Sequence, residues 1–187
     1  MGQEWCLIMN NNLQEYLDLY KDMFLYIDIK EVDHVIEYLR NFKHDVYVIG
    51  NGGSIALAQH FAQDLVKKCG IPSVSLTNIS NLTAFSNDHD YMYCFSDQIK
   101  VYAKKEDCLI SFSSSGNSMN IVYASVSAKV YEMKTISFTG FSGGILQSSS
   151  DMNIHIPCYD YGIVESIHSI LFHYIIDQLT LDKTDVL

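Results

Sequence analysis

The chain has 187 residues, of which 48% are hydrophobic and 18% charged, so a packed fold is expected and disorder is excluded. Its formal net charge of −10 disfavours general binding to a phosphate backbone, so no nucleic-acid partner is expected. It still leaves room for one small anion held by local donors. No run of 18 apolar residues occurs, so no membrane span is predicted, and the N-terminus lacks a basic, signal-like start. Met9 can serve as a start, followed by a polar lead-in from Asn10 to Asn12.

In chain order, the apolar residues Leu13, Tyr16, Leu17, Tyr20 and Phe24 predict a helix over 13–27. A second helix is expected over 30–42, carrying Val32, Val35, Ile36 and Leu39. The period then changes. Val46-Tyr47-Val48-Ile49 reads as a short buried strand, and similar runs recur at 73–76, 108–112, 135–139 and 152–156. Helical stretches over 55–66, 117–131 and 163–179 separate them. Strands alternating with helices imply an α/β fold, a five-stranded parallel sheet with helices on both faces. One domain is expected over 1–187, with helices 13–42 ahead of a sheet-and-helix body over 45–179. Pro72 and Pro157 each fall at a strand edge. Five scattered cysteines, Cys6, Cys69, Cys94, Cys108 and Cys158, contain no CxxC pair and fit unpaired thiols in a reducing cytosol.

Ligands of such sheets sit beyond the carboxyl ends of the strands. There the chain carries Gly50-Asn51-Gly52-Gly53-Ser54, then a helix. Glycines permit a tight turn and close backbone approach, the helix start offers amides to an anion, and Ser54 suits an N-cap or a hydroxyl donor. Ser113-Ser114-Ser115-Gly116-Asn117-Ser118 repeats this chemistry after the third strand. Either loop by itself can be a plain strand-to-helix turn, whereas two at equivalent points of one sheet point to phosphate. No Gly-Lys-Ser/Thr follows, so this is no nucleotide P-loop. A third turn, Gly140-Phe141-Ser142-Gly143-Gly144, reads as structural support.

His60 and Asp64, four apart, share one helix face and suit metal ligation or proton transfer, although the same spacing also describes a surface or interface pair. Glu165, His168 and His173 interrupt an apolar helix, and His168 reads as a histidine satisfied by a local hydrogen bond. Asp88, within Asn87-Asp88-His89-Asp90, can bind a sugar hydroxyl or cap a turn.

These segments together resemble the bacterial phosphoheptose isomerases of the SIS superfamily. GNGGSIALAQHFAQDL (50–65) is similar to their phosphate loop and active helix, and SSSGNS (113–118) to their second phosphate loop. SNDHDY around Asp88, SFTGFSGG around Gly140 and ESIHSILFH near the C-terminus extend the match over roughly 13–179. The resemblance implies a cytoplasmic homotetramer with sites between subunits. It implies an aldose–ketose isomerase converting sedoheptulose 7-phosphate to D-glycero-D-manno-heptose 7-phosphate for surface polysaccharides. By its motifs, Ser54, Ser113, Ser115 and Ser118 would bind phosphate beside Asn51, Gly52, Gly53 and Ser114, with Asp88 and Glu165 on the sugar. Asp64 would be the base and His173 the partner acid–base, and one Zn²⁺ would be held by His60, Asp64, Glu165 and His173. The family usually has Glu at position 64, Gln at 165, Arg at 68 and Asp at 162, where this chain has Asp64, Glu165, Lys68 and Gly162. A relative in the same superfamily is a non-catalytic scaffold that binds a replication initiator, and others sense sugar phosphates. Those are the alternative readings.

Overall fold

The computed structural model describes residues 12–181; Cys6 and Met9 lie outside them. The elements run α1 (Leu13–Phe24), α2 (Ile29–Arg40), β1 (Val46–Gly50), α3 (Gly53–Lys67), β2 (Ser73–Ser75), α4 (Ile79–Asp88), a 3-10 turn (Tyr91–Tyr93) and α5 (Cys94–Tyr102). They continue with β3 (Cys108–Ser113), α6 (Met119–Val130), β4 (Lys134–Thr139), α7 (Gly144–Ser149), β5 (Met152–His155) and α8 (Tyr161–Thr180).

All five strands are parallel in one sheet of order β2-β1-β3-β4-β5. Alternation along β1 sorts two cores. Val46 and Val48 pack with α2, α3 and α8, whereas Tyr47 and Ile49 pack with α4, α5 and α6. Pro72 and Pro157 flank the edge strands β2 and β5, where a missing N–H costs least. The chain leaves β1 for β2 on one side and returns to β3 on the other. The order therefore reverses between β1 and β3, which pair in register from Val46↔Cys108 to Gly50↔Phe112. A crevice opens at such a reversal.

Sequence periodicity misses α4, α5 and α7. Helix α5 explains why: it buries Ser96, Asp97 and Gln98 along with Phe95 and Ile99, so its inward face is not apolar. The Gln98 amide bonds the Leu76 and Cys94 carbonyls (3.1 and 2.9 Å), and Asp97 takes Lys100 Nζ and His89 Nδ1, each at 2.6 Å. Helix α1 ends at Phe24, short of residue 27. The chain must turn there, because the Asp28 carboxylate accepts the Lys30 amide at the start of α2.

Candidate active site

The two loops predicted to hold phosphate follow β1 and β3, and they meet. A cavity of about 270 Å³ is lined by Asn51, Gly52, Gly53, Ser54, Ser113, Ser114, Ser115 and Ser118, with Phe112, Tyr161 and Glu165 completing the wall. In the first loop the Ser54 and Ile55 amides bond back to the Asn51 and Gly52 carbonyls (2.9 and 3.1 Å), which leaves the Gly52 and Gly53 amides to a ligand. Gly52, not Ser54, is the N-cap of α3; Ser54 lies in the first turn, with its hydroxyl 3.4 Å from Glu165 Oε1. In the second loop Ser118 is the N-cap of α6 without a side-chain bond of its own. The Ser114 hydroxyl is buried with no protein partner. A buried hydroxyl without a partner is costly, and Ser114 belongs to the cavity wall, so a ligand bound there would complete it.

No lining residue is cationic, and Glu165 brings a carboxylate. Neutral hydroxyls and amides must therefore carry anion recognition. The third glycine turn lies behind the second loop: Gly140 N bonds Ser114 O (2.9 Å), Leu146 N bonds Gly116 O (3.1 Å) and Asn117 Oδ1 accepts the Ile145 amide (3.0 Å). Gly116, at φ +63°, lies so close to Gly143 that any Cβ would strike its carbonyl.

Ser54 meets Glu165 at one level, and the His60 and His173 rings meet at another, 4.9 Å between centroids. Helices α3 and α8 thus run side by side in one direction, and the second level lies about 9–12 Å farther along. His60, Asp64 and His173 present ligand atoms within 4.8 Å of one another, a group that can hold a metal ion. Their donor set, two imidazoles and a carboxylate, fits a divalent transition metal. The His173 Nδ1–H donates to the Ser169 carbonyl at 2.7 Å, which leaves Nε2 with its lone pair. Asp64 is 2% exposed, and its Oδ2 meets both His60 Nε2 (3.6 Å) and Lys68 Nζ (2.9 Å). That contact raises the lysine's pKa.

Two expected residues stand elsewhere. Glu165 does not join the metal-ligating group; it lies over Gly53 and Ser54, where a Cβ on Gly53 would strike its carboxylate. Asp88 ends α4, exposed and bonded to the Asn87 amide (3.0 Å), and it does not line the cavity. His168 is fully buried, its Nε2 3.2 Å from the Thr139 carbonyl, the local role its sequence context suggests. Tyr161 lines the cavity although no motif marks it. It is placed there because α8 begins at the same edge of the sheet as α3.

The chain is also similar to known proteins over most of its length. The SIS domain family model matches residues 29–140. A phosphoheptose isomerase of Helicobacter pylori is 38% identical over 154 residues, covering 79% of this chain and 80% of the relative. One of Crocosphaera subtropica is 33% identical over 180 residues, covering 91% and 92%. The solved structure of the phosphoheptose isomerase from Neisseria gonorrhoeae matches with a TM-score of 0.80 at 28% identity, covering 90% of this chain and 98% of that one. With two serine-rich loops converging at the sheet's reversal and relatives of this similarity along most of its length, the chain belongs to the phosphoheptose isomerase family of SIS-domain proteins.

Proposed function

We propose that this protein isomerises sedoheptulose 7-phosphate to D-glycero-D-manno-heptose 7-phosphate through an enediol. The observation that carries the reading is one cavity lined by both serine loops, with a His–Asp–His group about 9–12 Å along the same helix pair. A linear sugar of six or seven carbons spans that interval with its phosphate anchored; a triose phosphate does not.

The Gly52 and Gly53 amides and the hydroxyls of Ser54, Ser113, Ser114, Ser115 and Ser118 bind the phosphoryl oxygens. Asp64 takes the proton from the carbon next to the carbonyl. His60 and Lys68 both contact Oδ2, so Oδ1 is the oxygen left to receive it. His173, its Nδ1–H tied to Ser169, moves protons on the sugar oxygens through Nε2. Where a metal is held, His60, Asp64 and His173 would hold it; Zn²⁺ suits these donors and would supply carbonyl polarisation. Support for a homotetramer comes from apolar residues left exposed on α1 (Leu13, Leu17) and α8 (Ile170, Tyr174), together with a half-exposed His60. The buried thiols Cys69, Cys94, Cys108 and Cys158, with no disulfide among the described residues, support a cytoplasmic setting.

The test is incubation with sedoheptulose 7-phosphate, following product by NMR and proton exchange at the reacting carbon in D₂O. Wild type should turn over, and Asp64→Asn should lower kcat by ~10²–10⁴-fold with KM little changed. Absence of turnover with and without added zinc would favour a scaffold or a sensor. Metal analysis should find about one zinc per site, and full activity in metal-free protein would count against the metal reading.

A further inference from the structure

The Asn51 side chain is committed away from the ligand. Its Nδ2 donates to Asn120 Oδ1 at 2.8 Å, and Asn120 Nδ2 donates back to Asn51 Oδ1 at 2.8 Å. The Tyr91 hydroxyl donates to the same Asn51 Oδ1, also at 2.8 Å. With two donors, that oxygen has both lone pairs filled. Asn120 is 3% exposed; its Oδ1 also accepts the Ile121 amide (3.0 Å), and its Nδ2 lies 3.7 Å from Cys94 Sγ. Tyr91, by contrast, is 53% exposed.

Three segments meet at this point: the loop after β1, the first turn of α6 and the 3-10 turn between α4 and α5. The sheet pairing of β1 with β3 ends at Gly50↔Phe112. Beyond it, among the described residues, the amide pair is the side-chain hydrogen-bonded link from the first serine loop to the helix that the second loop opens.

We propose that Asn120 and Tyr91 are positioning residues of the phosphate site, fixing the first loop at its working distance from the second. The inference rests on the reading that both loops hold one phosphate. Neither residue lines the cavity. Their effect passes through Asn51, whose backbone carries Gly52 and Gly53 into the site. Asn120 is buried and bonded at both ends of its amide, so it supplies rigidity. Tyr91 bonds through a single hydroxyl from an exposed ring, so it makes the order of the loop depend on the turn that bears it.

The test uses Tyr91→Phe, which removes one hydroxyl at an exposed residue, and Asn120→Asp, which keeps the shape but cannot donate to Asn51. Hydrogen exchange is measured on ligand-free protein. Both variants should speed exchange at the Ser54 and Ile55 amides, which bond the Asn51 and Gly52 carbonyls, by ~3–10-fold while 46–49 are unchanged. Equal rates at Ser54 and Ile55 in wild type and both variants would overturn the proposal. Kinetics give the second readout. Tyr91→Phe should raise KM for sedoheptulose 7-phosphate by ~3–10-fold with kcat within about twofold. A wild-type KM in that variant would overturn the positioning role while leaving the isomerase reading intact. If wild type turns over nothing, the isomerase reading fails and the exchange experiment alone decides this one.

Discussion

Ser114 and His168 are both buried polar side chains with an unpartnered atom, yet they predict opposite behaviour. Ser114 lines the cavity, so its orphan hydroxyl has a ligand to wait for. Ser114→Ala should leave the melting temperature unchanged or slightly higher, since no protein bond is lost, while weakening competition by inorganic phosphate roughly tenfold. A loss of stability without a loss of phosphate affinity would place the hydroxyl in the core instead. His168 is packed against Phe112 and Phe138. Burial drives its pKa from 6.5 to about 4, and the Thr139 carbonyl only partly offsets this. Between those values the unfolded chain binds a proton that the folded chain refuses. The stabilisation is therefore complete above pH 6.5 and lost as pH falls towards 4, by on the order of 3 kcal/mol. His155, also lowered by burial, acts in the same direction. Urea unfolding at pH 7 and pH 5 should show the loss, and His168→Leu should flatten the dependence; an unchanged slope would assign it to other groups.

The joint between β1 and α3 decides whether the first loop has its shape. A Cβ on Gly50 would lie 2.5 Å from the Ser54 carbonyl oxygen, which is backbone and cannot swing aside. Gly50→Ala should cost about 1–3 kcal/mol and displace the start of α3, so phosphate affinity should fall with stability. Denaturant titration alongside phosphate binding checks both; a variant with normal affinity would show that the loop tolerates the shift. The second loop is held differently, by α7 and the glycine turn packed behind it. Of the elements that periodicity overlooks, α7 buttresses the second loop, its Leu146 amide bonded to the Gly116 carbonyl. In α5 the inward residues Ser96, Asp97 and Gln98 serve hydrogen bonds as much as apolar packing, which blurs a 3.6-residue pattern.

For the whole molecule, the arrangement leaves His60 half exposed on a chain with apolar side chains at the surface of α1 and α8. A lone protomer would open that group to water on one side, whereas acid–base chemistry on an enediol gains from exclusion of water. Light scattering on the purified protein should give four times the chain mass, and a monodisperse, active monomer would refute the tetramer. The charge of −10 sets a long-range field unfavourable to an anion, so substrate capture rests on short-range donors, and KM should fall modestly as added salt screens the repulsion.

Much of this was written locally. The short β-branched runs gave five strands, and the glycine- and serine-rich stretches after the first and third marked both phosphate loops, because turn geometry and helix starts depend on neighbours in the chain. The pair His60 and Asp64 was legible for the same reason, being one helical turn apart. Strand order was not legible. That β1 and β3 are neighbours, so that two loops some sixty residues apart close on one cavity, follows from long-range pairing between strands that look alike in sequence. Nor could spacing tell that His173 joins His60 and Asp64 while Glu165 lies over Gly53, or that Asn120 and Tyr91 clasp Asn51. Those placements depend on how α3, α6 and α8 pack on the sheet, and packing fixes which side chains meet only once the whole chain has folded.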